Sequence, residues 1–127
     1  MNYILDTHVL LWSIFEPEKL SKTAQQILLD KTCVKAISLS TMWEIGIKYR
    51  IKKLPLPKGV PSVFEVVKSR GYGYINIDKD CIEAYSTLPL KHGDPFDGII
   101  IATAIVEKMT IITDDSKIQE YDVPWIW

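Results

Sequence analysis

The chain has 127 residues, of which 47% are hydrophobic and 24% are charged, and its formal net charge is −1. This length fits one domain, residues 1–127, that can bury a core, and the composition excludes a disordered or low-complexity chain. The charge excludes a global basic field, so any nucleic-acid contact has to be local.

Strand and helix patterns alternate along the first half of the chain. They predict, in order, a strand at 3–5, a helix from 7, a helix at 21–30 and a strand at 34–37. Trp43, Ile47 and Ile51 then recur at four-residue spacing and predict an amphipathic central helix. The breaker segment LPLPKGVP at 54–61 ends it.

The second half continues the same alternation. It predicts a helix from about 61 to 69, a strand at 74–77, a short helix after 78, a loop at 88–95, an apolar helix at 95–108, a strand-like run at 110–113, a short helix near 116 and a last strand at 123–125. Strands separated by helices need crossover connections. The fold class is therefore α/β, with a mostly parallel central sheet covered by helices on both faces.

The cysteines, the N-terminal segment and the lack of a long apolar stretch predict a cytoplasmic protein. Cys33 and Cys81 form no CxxC pair, which indicates buried thiols rather than a zinc ribbon or a disulfide framework. The N-terminal apolar run is short and contains Asp6 and His8, which argues against a signal peptide. No stretch approaches the ~20 apolar residues of a membrane span.

Two of the predicted strands end directly in acids. Asp6 follows the first strand, and Asp114 and Asp115 follow the run at 110–113. Ligands of open α/β sheets bind at the carboxyl ends of the strands. This coincidence is the first indication of a functional site.

Each acid also has a purely structural explanation. Asp6 is in a position to cap the helix that follows it. Glu44 lies three residues after Thr41, which fits a capping box, and four residues before Lys48, which fits a helical ion pair. For single residues these explanations are at least as good as a functional one.

The segment Asp94-Pro95-Phe96-Asp97 opens the apolar helix. Asp94 fits an N-cap, and Asp97 occupies the third helical position, where a negative charge complements the helix dipole. Because that helix is apolar nearly all round, we expect it to be buried and its acid to face an interior cleft. Asp114 or Asp115 is expected to cap the short helix near Ser116.

Together, Asp6, Glu44, Asp97 and Asp115 would repel one another unless a cation or a proton were present. Mg²⁺ and Mn²⁺ prefer carboxylate and water oxygens, so either would resolve that conflict. Zinc is disfavoured because the sequence has no His/Cys cluster. The two histidines, His8 and His92, are expected to pack or to hydrogen-bond in loops.

Four segments resemble the PIN-domain toxins of the VapC type. They are LDTHVLLW at 5–12, SLSTMWEIGIK at 38–48, HGDPFDGIIIATA at 92–104 and TDD at 113–115. The resemblance covers nearly the whole chain. It implies a three-layer α/β/α domain, a Mg²⁺- or Mn²⁺-dependent endoribonuclease site, a cognate antitoxin and a homodimer.

The same resemblance assigns catalytic and metal-binding roles to Asp6, Glu44, Asp97 and Asp115. Because the family pattern on the last strand is Thr, any residue, Asp, it selects Asp115 and leaves Asp114 as a neighbour; the role of Asp94 is also left open. The hydroxyls of Thr7 and Thr113 are placed to orient a carboxylate or to bind metal-bound water. Many relatives have a basic residue where this chain has Gly98, so a substrate or antitoxin contact is put in doubt.

The resulting hypothesis is cleavage of RNA by metal-activated water at a four-carboxylate site. Basic residues are candidates to guide the RNA backbone, although a solvated helix face explains them equally well: Lys48, Arg50, Lys52, Lys53 and Lys91. A metal-dependent DNA nuclease and a non-catalytic partner-binding module are the alternatives. An aspartate phosphatase is disfavoured because Asp6-Thr7-His8 lacks the Asp-x-Asp pattern.

Overall fold

The computed structural model describes all 127 residues and contains five strands and seven α-helices. In chain order they are β1 (Asn2–Leu5), α1 (Thr7–Phe15), α2 (Lys22–Leu29), β2 (Val34–Ser38), α3 (Leu39–Arg50), α4 (Gly59–Ser69), β3 (Gly73–Ile75), α5 (Lys79–Ser86), α6 (Pro95–Glu107), β4 (Thr110–Ile112), α7 (Ser116–Gln119) and β5 (Trp125–Ile126). A short 3₁₀ turn, Pro17–Lys19, follows α1. The predicted order of strands and helices is confirmed.

The five strands form one sheet in the order β3-β2-β1-β4-β5, and every neighbouring pair is parallel. Ile4 in the central strand β1 pairs with Ala36 on one side and with Ile111 on the other. With helices on both faces, this is the three-layer α/β/α arrangement predicted from the sequence. The sheet was expected to be mostly parallel, and it is wholly so.

Successive residues of each central strand point to opposite faces, so the sheet separates two apolar clusters. Leu5 and Ile112 belong to one cluster, which packs beneath α1, α3 and α4. Ile4 and Ile111 belong to the other, with α6 above them. All four are fully buried, at a gain of about 1.5 to 3 kcal/mol per side chain. The strand ends that carry the acids are therefore held rigidly.

Some boundaries differ from the prediction. Helix α4 begins at Gly59 and not at Pro61. Pro61 lies within the first turn, where a missing N–H is tolerated, and not at the first helical position. The last strand begins after Pro124, whose carbonyl accepts from the Ile111 amide at 2.9 Å. It therefore lies at 125–126 instead of 123–125.

Two of the three apolar residues that indicated an amphipathic α3 are exposed. The helix itself is confirmed, but Trp43 is 64% exposed and Ile51 is 53% exposed. The buried side carries Thr41, Glu44 and Ile45 instead. Hydrophobic spacing could not identify this side because two of these three residues are polar.

Neither cysteine is paired. Cys81 is buried, with its sulfur 3.2 Å from the Thr103 hydroxyl, whereas Cys33 is partly exposed and not the buried thiol that was expected. None of the helices combines the length and the apolar character that crossing a bilayer requires.

Helices α5 and α6 meet where Gly98 faces the ring of Tyr85. A Cβ at position 98 would lie 2.4 Å from Tyr85 Cε2, far inside contact distance. The aromatic ring therefore occupies the space that a side chain at position 98 would need. This packing accounts for the glycine at position 98.

We expect Gly98→Ala to lower the free energy of unfolding by about 1 kcal/mol. Overpacking costs roughly 1 to 3 kcal/mol, and the gain of about 1 kcal/mol in helix propensity offsets only part of it. In a Tyr85→Ala background the same change should raise stability by roughly 0.5 to 1 kcal/mol, because only the propensity gain is left. Urea unfolding of the four proteins measures both values, and a stabilising Gly98→Ala in the wild type would contradict the packing argument.

Candidate active site

The structure brings the four predicted acids together at the carboxyl edge of the sheet. Asp6 directly follows β1, Asp115 follows β4, Glu44 lies on α3 and Asp97 lies in the first turn of α6. Burial, followed by the charges of Asp94 and then of the other three acids, raises the pKa of Asp97 to about 8. The carboxylates are therefore close enough to repel one another.

Asp6 is the most enclosed of the four, with 2% of its surface exposed. Its Oδ2 accepts a hydrogen bond from Thr113 Oγ1 at 2.9 Å, while its buried Oδ1 has no partner. Burial raises the pKa of Asp6, and the bond from Thr113 opposes that effect. Asp6 stands at the N-cap position of α1 but makes no capping hydrogen bond, so the capping explanation is wrong for this residue.

Thr113 connects the ends of β1 and β4. Besides donating to Asp6, its hydroxyl accepts from the Asp115 amide at 3.0 Å. The expectation that this threonine orients a carboxylate is confirmed. Thr7 behaves differently, because its hydroxyl donates to Thr41 Oγ1 at 3.2 Å and orients no carboxylate.

Glu44 is 5% exposed, and its two oxygens have different surroundings. Oε2 accepts from Lys48 Nζ at 2.9 Å, which confirms the helical ion pair. Oε1 is buried without a partner. The capping box with Thr41 is wrong, because α3 begins at Leu39 with Ser38 as its cap and Thr41 lies inside the helix.

Two further acids at this edge cap helices. Asp94 caps α6, accepting from the Phe96 amide at 2.9 Å and the Asp97 amide at 3.3 Å, as predicted. Asp115 caps α7 through Oδ1, which accepts from the Lys117 amide at 2.9 Å. Asp115 is thus both a structural cap and a member of the acid cluster.

A small pocket opens onto this edge of the sheet. It has a volume of about 230 Å³ and is lined by Asp6, His8, Trp12, Asp114 and Asp115. His8 and Trp12 were missed as site residues. Their signal was position, since they lie two and six residues after Asp6 on the helix that starts at the strand end.

The second histidine lies outside this pocket. His92 Nε2 is 2.7 Å from Glu120 Oε2, and its backbone amide donates to the Tyr121 hydroxyl at 3.3 Å. Loop hydrogen bonding of His92 is therefore confirmed. His8 lines the acidic pocket, where its ring packs beside that of Trp12 with the centroids 6.0 Å apart.

The predicted basic residues lie in two places. Lys48 is paired with Glu44, and Arg50, Lys52 and Lys53 are exposed at and beyond the end of α3. Lys91 donates to the backbone carbonyl of Glu120 at 3.1 Å. Of these five residues, the exposed ones without a recorded side-chain partner are therefore at and just beyond the end of α3.

A larger cavity, of about 1200 Å³, contains none of the four acids. It lies around the amino ends of β2 and β3, and its cationic lining includes Lys31, Lys68 and Arg70. Despite its size it is not the candidate active site, because the unpartnered carboxylates are at the opposite ends of the strands.

The donor set fits a hydrated Mg²⁺ or Mn²⁺. No three Asp, Glu, His or Cys side chains stand in an arrangement that could hold a metal ion. Mg²⁺, however, commonly keeps several waters and uses only one or two carboxylates. Such a cation would give the unpartnered oxygens of Asp6 and Glu44 a binding partner. Its positive charge would also favour the ionised form of Asp97, whose pKa is raised.

Comparison with known proteins identifies the family of this fold. The family model of the PIN domain matches residues 3–124. Ribonuclease VapC22 of Mycobacterium tuberculosis is 29% identical over 124 residues, which cover 95% of this chain and 92% of that protein.

Solved structures give the same fold. VapBC2 from Rickettsia felis, bound to a DNA fragment from its promoter, matches with a TM-score of 0.77 and 21% identity over 100% of this chain and 99% of its own. DNA-bound VapBC from Salmonella typhimurium matches with a TM-score of 0.74 and 17% identity over 99% and 97%. At these identities the likeness establishes the architecture alone.

Proposed function

This chain belongs to the PIN-domain family, and from that premise we propose that residues 1–127 form a metal-dependent endoribonuclease that acts in the cytoplasm as the toxin of a toxin-antitoxin pair. The observation that carries the proposal is the pair of buried, unpartnered carboxylate oxygens on Asp6 and Glu44 at the carboxyl edge of the sheet. Burying such atoms is costly unless a ligand satisfies them. The relative named ribonuclease supports RNA as the substrate.

In this proposal Asp6, Glu44, Asp97 and Asp115 hold Mg²⁺ or Mn²⁺. When bound, the ion would supply an activated water for attack on the phosphodiester and would offset the charge that develops there. Thr113 fixes the Asp6 carboxylate, and Lys48 fixes that of Glu44. The hydrogen bond that the Lys117 backbone amide donates holds Asp115 in place. Asp6, Glu44 and Asp115 are thus each held by a hydrogen bond of their own.

The partner of such a toxin would be a cognate antitoxin, and the active form a homodimer. The structural relatives are toxin-antitoxin complexes, which supports an antitoxin partner. A DNA nuclease would use the same carboxylates, because they do not distinguish ribose from deoxyribose. A non-catalytic binding module would bind its partner without needing metal.

Cleavage of structured and unpaired RNA by the purified protein, free of antitoxin, tests the proposal. We expect cutting with Mg²⁺ or Mn²⁺ and none with excess EDTA, because the proposed mechanism takes its activated water from the metal. A DNA of the same sequence, tested in parallel, distinguishes a ribonuclease from a DNA nuclease. Metal-independent cutting would contradict the proposed mechanism, and folded protein that cuts neither polymer would favour the binding module.

A further inference from the structure

The first turn of α6, which carries Asp97, lies outside the apolar core. The buried part of this helix begins at Gly98, and the three residues before it, 95–97, are exposed or only partly buried. On the side of α3, Phe96 packs against Trp43 with the ring centroids 5.6 Å apart. Core packing alone therefore does not fix the position of the Asp97 carboxylate, and its other support has to come from the loop before α6.

That loop is attached by hydrogen bonds to the segment that follows α7. His92 Nε2 donates to Glu120 Oε2 at 2.7 Å, because an ionised carboxylate can only accept. Lys91 Nζ donates to the Glu120 carbonyl at 3.1 Å, and the His92 amide donates to the Tyr121 hydroxyl at 3.3 Å. Next to these bonds the loop is open, since no heavy atom lies within 4 Å of where a Cβ of Gly93 would be.

These bonds connect two helices that each begin with an acid of the candidate site. His92 lies two residues before Asp94, the cap of α6, and Asp97 is in the first turn of that helix. Glu120 directly follows α7, whose cap is Asp115. Because α7 has only four residues, it is about 6 Å long, and its far end is close to Asp115.

The acids on the two sides of this connection repel each other. Burial is the main cause of the raised pKa of Asp97, and the charge of Asp115 is among the neighbouring charges that add to it. In the metal-free protein, this repulsion favours a larger distance between the first turn of α6 and the start of α7. The bond between His92 and Glu120 opposes that movement.

We propose that His92 and Glu120 are positioning residues of the metal centre, whose mutual hydrogen bond sets the spacing at which Asp97 and Asp115 bind one cation. The proposal rests on the metal-dependent function proposed above. Neither residue touches the cation or the RNA; each acts through the helix end to which it is attached. Mg²⁺ demands near-ideal octahedral geometry, so two carboxylates serve one ion only at a suitable spacing.

Mn²⁺ binding to the folded protein, measured by isothermal titration calorimetry, tests the proposal. We expect His92→Ala and Glu120→Ala each to weaken Mn²⁺ binding by roughly ten- to a hundredfold, the usual cost of removing a residue that orients a metal ligand. Because both act through one bond, the double variant should bind no more weakly than the weaker single variant, whereas independent effects would multiply. His92→Gln can still donate to Glu120 and should restore most of the affinity.

Glu107→Ala is the matched control for the loss of charge. Glu107 is exposed at the last position of α6, so this variant removes one negative charge from the same helix without touching the loop. Its Mn²⁺ affinity should equal that of wild type. An equal loss in Glu107→Ala and Glu120→Ala would overturn the proposal, because the effect would then follow from net charge rather than from spacing.

Thermal unfolding in EDTA separates positioning from simple stabilisation. A bond that only stabilises the loop would lower the Tm of His92→Ala and leave the Mn²⁺ affinity of the folded protein unchanged, and that result overturns the proposal. Positioning predicts weaker Mn²⁺ binding at temperatures where each variant is fully folded. Multiplying losses in the double variant, or no recovery in His92→Gln, would also contradict an action through this bond.

Cleavage kinetics distinguish this proposal from the enzyme function. His92→Ala should need about tenfold or more Mn²⁺ for half-maximal cleavage and should keep the KM for RNA, because the bond acts on the metal ligands and not on the substrate. If wild type binds Mn²⁺ but cuts no RNA, the enzyme function fails, and the calorimetric comparison still decides the roles of His92 and Glu120. Wild-type protein that binds no Mn²⁺ would overturn both.

Discussion

Replacing Asp97 by Asn is expected to reduce metal-dependent RNA cleavage by at least about a hundredfold, the usual cost of removing one electrostatic group from a preorganised site. Asn keeps the size of the side chain and removes its charge. Because Asp97 lies in the first turn of α6 and caps nothing, the fold should be preserved. Initial cleavage rates in Mn²⁺, together with the circular dichroism spectrum, measure both expectations.

Asp94→Asn is the matched control for this variant. It makes the same chemical change three residues earlier on the same helix, and asparagine caps helices about as well as aspartate. We expect its activity to stay within a few-fold of wild type, because its carboxylate already binds the α6 amides. Full activity in Asp97→Asn, or an equal loss in both variants, would contradict the assignment of Asp97 to the acid centre.

The sequence predicted the fold well because its strands lie in a parallel sheet. Such strands are buried on both faces and appear as short apolar runs, which is how Tyr3–Leu5 and Thr110–Ile112 could be recognised. The predicted ends of the elements were less accurate. A proline such as Pro61 indicates that a helix begins nearby, but not which position of the first turn it takes. That choice depends on packing elsewhere in the chain.

Asp6 and Asp115 could be predicted because the ends of parallel strands meet at one edge of a sheet, whereas Glu44 and Asp97 lie on helices and were assigned from the family resemblance. What the sequence could not provide is the difference between the two oxygens of each carboxylate. Glu44 has one oxygen bound to Lys48 and another buried alone, and that distinction depends on how α3 packs. Packing also reverses the interpretation of Trp43, whose spacing indicates a core residue and whose ring is in solvent.

The packing of Gly98 is a second feature that the sequence alone could not predict. From the sequence, glycine at this position indicates only that a basic side chain is absent. The structure shows Tyr85 of α5 occupying the space, thirteen positions away in the chain. Such a compensating pair cannot be recognised in one sequence, because neither residue carries a local signal for the other.

Without metal, the protein should become less stable as the pH rises from 5 to 8. The pKa of Asp97 is about 8 in the folded state and near 3.8 when unfolded, so the folded state retains a proton that the unfolded chain has already lost. The stability this proton gives is complete below pH ~4 and is lost as the pH rises through ~8. The raised pKa of Asp6 acts in the same direction.

We expect the free energy of unfolding to fall with pH by roughly 1 to 3 kcal/mol less in Asp97→Asn than in wild type. This is less than the whole pKa difference would give, because Asp97 is only partly buried and water screens its repulsions. Urea unfolding in EDTA at several pH values, for wild type and variant, measures the difference. Changes that are common to the two proteins cancel in this comparison. At pH 8 the metal-free variant should therefore be the more stable protein.

Adding Mn²⁺ at pH 8 should reverse that order. A cation that binds only the folded state stabilises it by about 2.7 kcal/mol at a hundred times its dissociation constant, and Asp97→Asn should lose most of that gain. The reversal requires both mutual repulsion of the carboxylates and their use as ligands, so neither a cap nor a solvated acid would produce it. Curves that are parallel for the two proteins, with and without Mn²⁺, would show that Asp97 neither carries the repulsion nor binds the ion.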